Sequence, residues 1–177
     1  MKTISIITPC FNEELSILAC IKAIETLFAE KLPTYNYEHI ICDNASTDGT
    51  LEILREAARQ NPRLKVIVNA RNFGILKNTY NGVMAATGDA VLLFMPVDLQ
   101  DPPEMIPEFV RLWEKGYEIV YGLRATREEG LLLRTARKLY YRLLSRLSYV
   151  DYPPDAGDFQ RPAKQSTDKQ KKQFWMH

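Results

Sequence analysis

The chain has 177 residues, 46% of them hydrophobic, which is enough apolar material for one globular domain with one substantial core. Its 23 Lys and Arg residues nearly balance 22 Asp and Glu residues. The resulting net charge of +1 excludes a global field that would draw the chain to nucleic acid or to a membrane, so no nucleic-acid partner is expected.

Cysteine usage and hydropathy predict a cytoplasmic protein. The three cysteines, Cys10, Cys20 and Cys42, have neither the density of a disulfide scaffold nor the spacing of a zinc site. The N-terminus enters a strand-like run without a signal-peptide pattern. The longest apolar run, residues 90–95, is far shorter than the roughly 20 residues of a spanning helix, so no transmembrane segment is predicted.

Short β-branched runs alternate with amphipathic segments along the chain. The predicted strands are residues 3–8, 37–42, 64–68, 90–94 and 118–121. Several of these runs are almost continuously apolar, as expected when helices cover both faces of a parallel sheet. The pattern predicts an open α/β sheet whose ligand lies beyond the carboxyl ends of the strands.

A polar segment follows each of the first four predicted strands. These segments are TPCFNEE (8–14), DNASTDGT (43–50), NARNFG (69–74) and PVDLQD (96–101). The carboxyl ends of parallel strands meet at one edge, so the four segments are predicted to lie together. A dinucleotide cofactor is not expected, because no G-x-G-x-x-G follows the first strand.

The segment after the second strand has two interpretations. Asp43, at the first step off a buried strand, could accept hydrogen bonds from a nucleotide base or ribose. Alternatively the segment is an ordinary polar turn in which Asp48 caps a helix over residues 49–60. His39, a lone histidine near the end of the same strand, is predicted to pack rather than to take part in catalysis.

The segment after the fourth strand combines a helix start with a candidate metal site. Asp101 is predicted as the N-cap, with Pro102 at the first helical position and Glu104 completing a capping box. Asp98 and Gln100 precede that cap, and alternation along an extended segment puts both on one side. Their oxygens suit Mg²⁺ or Mn²⁺.

Seven motifs give the chain its resemblance to a known family. They are TPCFNEE, DNASTDGT, RNFG, the pair Gly88–Asp89, VDLQDPPE, YGLRATRE and DAGDF, and together they cover nearly all of residues 3–160. In order and approximate spacing they resemble family 2 glycosyltransferases, most of all the bacterial polyprenyl-phosphate sugar transferases and dolichol-phosphate mannose synthase-like proteins. The resemblance implies a GT-A fold and an inverting transfer from a UDP- or GDP-sugar to a polyprenyl phosphate or a related glycan. Such a reaction belongs to the synthesis of cell-envelope polysaccharide or lipid.

The resemblance also implies roles for individual residues that contact the nucleotide sugar. The loop after the first strand would contact the nucleotide, the acid after the second would lie near the base, and two arginines would bind diphosphate or lipid phosphate. These residues are Pro9, Phe11, Glu13, Asp43, Arg124 and Arg127.

The metal and catalytic residues are implied in the same way. Asp98 and Gln100 match two members of the D-x-D-x-Q metal pattern, and Asp158 matches the acid that serves as catalytic base or positions the acceptor. Pro96 stands where the family usually has a further Asp and can coordinate nothing. Mg²⁺ or Mn²⁺ is therefore expected at a weakened site.

The chain departs from the family pattern after Gln160. Residues 161–177 are mostly Lys, Gln and small polar residues, which predicts a disordered tail after a domain of residues 1–160 that lacks part of its acceptor side. A competing hypothesis is therefore a non-catalytic remnant that binds a nucleotide sugar at most. A nucleotidyltransferase fits less well, because TPCFNEE replaces the glycine-rich, lysine-containing loop expected there.

Residues 128–149 form an amphipathic pattern with helical period. Residues 123–149 contain seven Lys and Arg but only two Glu. One interpretation is a surface helix with leucines on the core and arginines in water. The other is an interfacial helix on the anionic inner leaflet, giving peripheral and salt-sensitive membrane binding.

Overall fold

The computed structural model describes residues 1–93, Val97 and residues 102–120, together with the backbone of residues 122–123 and 161–162. The strands are β1 (Thr3–Cys10), β2 (Asn36–Asp43), β3 (Leu64–Val68), β4 (Ala90–Leu93), β5 (Gly122–Leu123) and β6 (Arg161–Pro162). The helices are α1 (Ile17–Lys31), α2 (Thr50–Gln60), α3 (Ile75–Ala85) and α4 (Ile106–Glu114), the last preceded by a 3₁₀ turn at Pro103–Met105.

The first four strands form one parallel sheet in the order β3-β2-β1-β4. β1 pairs with β2 along its whole length, from Thr3 opposite Asn36 to Cys10 opposite Asp43. The connections through α1 and α2 step in one direction along the sheet, whereas α3 carries the chain back past β1. Right-handed crossovers therefore place α3 on the face opposite α1 and α2. The predicted α/β architecture is confirmed.

Successive side chains of β1 point to opposite faces of the sheet. Thr8 lies on the α1 face, where its hydroxyl is hydrogen-bonded to the Cys20 thiol. Ile7 points the other way, toward α3, where it lies beneath Gly82 together with Cys42 of β2. Because both faces of β1 and β2 are covered, their sequences are almost continuously apolar.

A buried polar network joins neighbouring strands near the amino-terminal edge of the sheet. The Glu38 carboxylate on β2 accepts hydrogen bonds from Ser5 Oγ (2.5 Å), from the Thr87 amide (2.6 Å) and from Lys65, with which it also forms an ion pair. Burial alone would raise the pKa of Glu38, but the hydrogen bonds from Lys65, Ser5 and Thr87 outweigh it and lower the pKa to about 2. Glu38 is therefore a charged member of the core.

The pair Gly88–Asp89 attaches the start of β4 to β1. A Cβ at Gly88 would lie 2.7 Å from Ser5 Oγ and 2.8 Å from the Thr3 carbonyl oxygen, so only glycine allows this approach. Asp89 Oδ2 accepts a hydrogen bond from the Thr3 amide at 2.7 Å, and the Asp89 amide donates to the Thr3 carbonyl at 2.8 Å. This motif acts at the edge away from the polar loops.

Four of the five predicted strands are confirmed, while the fifth is displaced. Residues 118–120 are not a strand. The chain leaves α4 through Gly116, whose φ of +88° needs glycine, and Ile119 remains partly exposed. The next strand is β5, which pairs antiparallel with β6 in a second compact unit. β6 comprises the first two residues of the predicted tail, whose remainder lies outside the described residues.

The helix start after β4 is shifted by one residue from the prediction. Pro103, not Pro102, is the first residue of the 3₁₀ turn, and Pro102 is extended (ψ 124°). Proline disfavours a helical conformation in the residue before it, so Pro103 keeps Pro102 extended. Within the described part of the chain, no helix has the length and apolar character needed to cross a bilayer.

Candidate functional site

The candidate site is built at the carboxyl edge of β1, β2 and β3, with Asp43 at its base. Asp43 is the last residue of β2 and is fully buried. Its Oδ2 accepts a hydrogen bond from the Ser46 amide (3.1 Å), and its Oδ1 accepts from Cys10 Sγ (3.9 Å). Because a carboxylate offers about four acceptor positions, these two contacts leave some of its acceptor capacity unused.

Reciprocal hydrogen bonds join the loop after β1 to the loop after β2. The Asn12 amide donates to Ser46 Oγ at 2.9 Å, and the Thr47 amide donates to Asn12 Oδ1 at 2.8 Å. Asn12 has a φ of +57° and Ala45 a φ of +61°, the left-handed region that non-glycine residues seldom adopt. Two closely fitted turns therefore lie side by side at the edge of the sheet.

The same two loops fix the first turns of α1 and α2. The Glu14 amide donates to Asp48 Oδ2 (3.2 Å), while Glu14 Oε2 accepts from the Gly49 amide (2.7 Å). Asp48 Oδ1 also accepts from the amide of Thr50, the first residue of α2, at 3.0 Å. Asp48 thus satisfies a donor at the start of this helix, but the N-cap residue is Gly49, one position later than the turn interpretation predicted. The helix itself begins at Thr50.

A network of asparagine side chains joins the loop after β3 to the end of β2. Asn44 is buried, and its Oδ1 accepts from Asn69 Nδ2 (3.1 Å) and from the Phe73 amide (3.0 Å). Its Nδ2 donates to Asn72 Oδ1 at 2.9 Å. Asn69 in turn donates to Asn78 Oδ1 on α3 at 2.8 Å. The Asn44 side-chain amide, next to Asp43, therefore bonds to three residues at the end of β3 and in the loop that follows it.

Four of the predicted nucleotide-sugar residues lie at this edge. Pro9 is buried near the end of β1, directly before the loop. Phe11 is 43% exposed and projects from the edge. The Glu13 amide donates to Thr50 Oγ1 at 2.8 Å, and its carbonyl accepts from the Ile17 amide that begins α1. The structure brings these residues and Asp43 together on adjacent strand ends.

The other predicted site residues lie outside the described residues. These are Pro96, Asp98, Gln100, Arg124, Arg127 and Asp158, together with the basic segment 128–149. Among the residues that are described, no group of three or more His, Cys, Asp or Glu side chains could hold a metal ion. The metal and acceptor parts of the site remain predictions.

The cysteines and His39 are part of the packing around the site. Burial, followed by the nearby Asp43 carboxylate, raises the pKa of Cys10. Burial also raises the pKa of Cys20 and of Cys42 to about 12, so these thiols stay protonated. His39 is buried with its Nε2 hydrogen-bonded to Thr8 Oγ1 at 2.9 Å, and burial lowers its pKa to about 3. A neutral, enclosed imidazole agrees with a packing role.

The sequence interpretation missed the residues that hold the loops in place. Asn12, Glu14, Asn44, Ser46 and Asn69 all make bonds between loops. Their only signal was the concentration of Asn, Ser and Asp after each strand. Such residues are also usual in turns that bind nothing, so their pairing could not be read from spacing.

The four-stranded parallel sheet, with helices on both faces and polar loops at its carboxyl edge, matches the N-terminal part of GT-A glycosyltransferases of known structure. The glucosyl-3-phosphoglycerate synthase of Mycobacterium tuberculosis aligns with a TM-score of 0.58 and 27% identity, over 86% of this chain and 54% of that one. A second structure of that enzyme, at 23% identity and a TM-score of 0.54, contains Mn²⁺, UDP and phosphoglyceric acid. Residues 5–172 match the sequence model of "Glycosyl transferase family 2". The chain belongs to this family.

Two relatives show where in the family the similarity lies. The "Uncharacterized glycosyltransferase YkcC" of Bacillus subtilis (strain 168) is 36% identical over 169 residues, which are 95% of this chain and 51% of the relative. The "Undecaprenyl-phosphate 4-deoxy-4-formamido-L-arabinose transferase" of Photorhabdus laumondii subsp. laumondii is 35% identical over 148 residues, which are 82% of this chain and 44% of the relative. The chain thus spans about half the length of the curated relatives it matches.

Proposed function

We propose that this chain binds a UDP- or GDP-sugar at the carboxyl edge of the sheet and acts in an inverting transfer of the sugar to a polyprenyl phosphate. The observation that carries the proposal is the buried Asp43 carboxylate at the meeting point of three interlocked loops. The similarity to an undecaprenyl-phosphate sugar transferase supports the acceptor class. A related glycan with a hydroxyl acceptor is the second possibility within the same family.

In the proposed donor complex, each described residue has a distinct task. Asp43 accepts hydrogen bonds from the base or ribose, and the surrounding loops prevent it from turning away. Phe11, exposed at the edge, offers an aromatic face beside the nucleotide. Pro9 and Glu13 hold the shape of the loop between β1 and α1. Arg124 and Arg127 are proposed to neutralise the diphosphate.

The metal ion is the part of the proposal with the weakest ligand set. Asp98 and Gln100 supply one carboxylate and one amide oxygen, donor types that fit Mg²⁺ or Mn²⁺, whereas Pro96 supplies none. A bound divalent cation would offset the charge that develops on the departing nucleoside diphosphate. The Mn²⁺ and UDP in the Mycobacterium tuberculosis enzyme support this assignment.

The role of Asp158 depends on the acceptor. A phosphate oxygen is already anionic near neutral pH, so with a lipid phosphate Asp158 would orient the attack on the anomeric carbon. With a sugar hydroxyl it would have to remove a proton. Asp158→Asn separates the two: a large rate loss with hydroxyl acceptors but a small one with a short polyprenyl phosphate supports the lipid-phosphate mechanism.

A lipid-linked acceptor also gives the basic segment 128–149 a function. We propose that it lies on the anionic inner leaflet and makes the protein peripheral to the membrane. Binding should then weaken as salt increases, because exposed charges are screened. Equal vesicle flotation of the unmodified chain and an Arg134/Lys138/Arg142→Glu variant would contradict this.

The donor site is tested by calorimetric titration of the 177-residue chain with UDP-glucose and with GDP-mannose, each with and without Mg²⁺ or Mn²⁺. Asp43→Asn should weaken binding of the preferred donor at least about tenfold, because it removes the negative charge from a buried acceptor. The matched control is Asp89→Asn, which alters a carboxylate that also accepts a backbone amide bond but lies at the opposite edge.

The outcome also decides between an enzyme and a remnant. Equal donor binding by Asp43→Asn and the unmodified chain would show that Asp43 is not in the donor site. Metal-dependent binding without turnover on a short polyprenyl phosphate would favour a non-catalytic remnant, an alternative suggested by Pro96 in the expected metal pattern.

A further inference from the structure

Helix α3 packs on the sheet through an asparagine and a glycine and exposes most of its large apolar side chains. Its buried residues are Asn78 and Gly82, one turn apart. Asn78 Nδ2 donates to the Cys42 carbonyl at 2.7 Å, and Gly82 allows the helix to approach Ile7. A surface helix of a globular protein normally does the opposite, with apolar residues on the core and polar residues in water. Its outer side therefore needs a separate explanation.

The outer side of α3 carries an apolar stripe. Leu76, Tyr80 and Met84 follow at intervals of four residues and are 76%, 55% and 67% exposed. At about 100° per residue, Tyr80 lies roughly opposite the midpoint between Asn78 and Gly82, with Leu76 and Met84 on either side of it. We name these three side chains the α3 outer stripe.

The charged residues within α3 and in the loops next to it along the chain, over residues 68–88, are of one sign. From Val68 to Gly88 the sequence contains no Asp or Glu, although a quarter of the whole chain is charged. Two cations flank the start of the helix: Lys77 is exposed, and the Arg71 guanidinium lies 4.4 Å from the centre of the Phe73 ring. An apolar surface flanked by cations is complementary to an anionic bilayer.

The position of the stripe relative to the donor site fits the same partner. α3 begins directly after the loop that Asn44 holds beside Asp43, so its first turn lies at the edge where the nucleotide sugar is proposed to bind. Self-association through this face is less favourable, because a two-fold pair would bring the Lys77 and Arg71 side chains of two copies toward each other.

We propose that the α3 outer stripe is a docking surface for an anionic lipid bilayer and brings the donor site to the membrane that holds the acceptor. The choice of partner rests on the proposed lipid-phosphate acceptor. The surface is distinct from the basic segment 128–149, so the two can be tested separately.

Vesicle flotation of the 177-residue chain tests the proposal. The probes are vesicles of phosphatidylcholine alone and of equimolar phosphatidylcholine and phosphatidylglycerol. A Leu76→Ser/Tyr80→Ser/Met84→Ser variant should bind the anionic vesicles at least about tenfold more weakly than the unmodified chain. The control, Leu15→Ser/Leu18→Ser, removes leucines that are 92% and 44% exposed elsewhere and should bind as the unmodified chain does.

A charge variant and two solution measurements complete the test. Lys77→Glu should weaken binding at least about fivefold on anionic vesicles and leave binding to pure phosphatidylcholine unchanged. Circular dichroism and urea midpoints confirm that each variant is folded. Donor titration without vesicles should give the same affinity for the triple variant and the unmodified chain. Flotation without donor binding would therefore refute the proposed function but not the docking surface.

Three results would overturn the docking surface. The first is that the unmodified chain does not float with anionic vesicles. The second is that the triple variant floats as well as the unmodified chain, which would place any membrane binding elsewhere. The third is that, in sedimentation velocity without lipid, the unmodified chain self-associates and the triple variant does not, which would assign the stripe to a second copy of the chain.

Discussion

Replacing Gly82 by Ala tests how α3 is held against the sheet. An added Cβ would lie 2.4 Å from Ile7 Cγ2 and 2.7 Å from Cys42 Sγ, and both of those residues are fully buried in central strands. Overpacking of this kind costs about 1–3 kcal/mol, and two contacts this short favour the upper end. Alanine gains about 1 kcal/mol over glycine in a helix. We expect a net loss of about 2 kcal/mol, measured by urea unfolding and circular dichroism.

A double-mutant cycle isolates the steric cause. Ile7→Ala alone should cost about 2–5 kcal/mol because it leaves a cavity. Part of that cavity can accept the new methyl group, so Gly82→Ala should cost at least about 1 kcal/mol less in the Ile7→Ala background. Ala85→Gly measures the helix-propensity difference at a half-buried position of the same helix. Either of two results would refute the steric explanation. One is that Gly82→Ala is as stable as the unmodified chain; the other is that Gly82→Ala costs the same free energy of unfolding with and without Ile7→Ala.

Three further substitutions test the polar groups of the sheet. Asn44→Ala should cost about 2 kcal/mol in urea unfolding and weaken donor binding, because it leaves the Phe73 amide without its acceptor. An equal loss with Asn36→Ala, an exposed asparagine at the start of β2, would count against a special role for Asn44. His39 is held neutral, with its pKa lowered to about 3 by burial. Between pH 6.5 and pH 5 only the unfolded chain protonates this histidine, so the free energy of unfolding should fall by up to about 1.4 kcal/mol per pH unit. His39→Gln should abolish this pH dependence. Glu38, whose pKa is lowered to about 2, should stabilise the fold above pH 4.5 and lose that contribution between pH 4.5 and 2. In Glu38→Gln the free energy of unfolding should therefore depend less on pH over this range. If the free energies of unfolding of the variant and the unmodified chain fall in parallel with pH, the assignment is contradicted.

The strands of the main sheet could be predicted because burial on both faces leaves a local signal. Residues 4–7 and 90–93 are short runs, almost continuously apolar and bounded by polar segments, and each lies in a strand of the structure. Asp43 stood out for a related reason, since a carboxylate directly after such a run is costly unless it is used. Parallel topology then brings its neighbours to the same edge. The fold, and the meeting of the polar loops at one edge of the sheet, were therefore accessible from sequence.

The contacts that hold the site could not be predicted, because they join residues far apart in the chain. Asn44 bonds to Asn69 and Asn72, which are 25 and 28 residues away. Nothing in the spacing of these asparagines distinguishes a buried network from three separate turns. The burial of the polar side of α3 could not be predicted for a similar reason. A glycine within a helical pattern indicates only lower helix stability, and the close approach of Gly82 to Ile7 joins residues far apart in the chain.

Interlocking of the three loops has a consequence for donor recognition. Asp43 lies between two sets of hydrogen bonds, one that joins the loop after β1 to the loop after β2 and one that joins the loop after β2 to the loop after β3. Moving any one loop therefore displaces the backbone that positions the carboxylate. A nucleotide sugar bound there, as proposed, would meet a carboxylate that is already held in place, which would lower the ordering cost of binding. Substitutions at Asn12 or Asn44, neither of which is assigned a contact with the donor, should thus weaken donor affinity in proportion to how far they loosen these bonds.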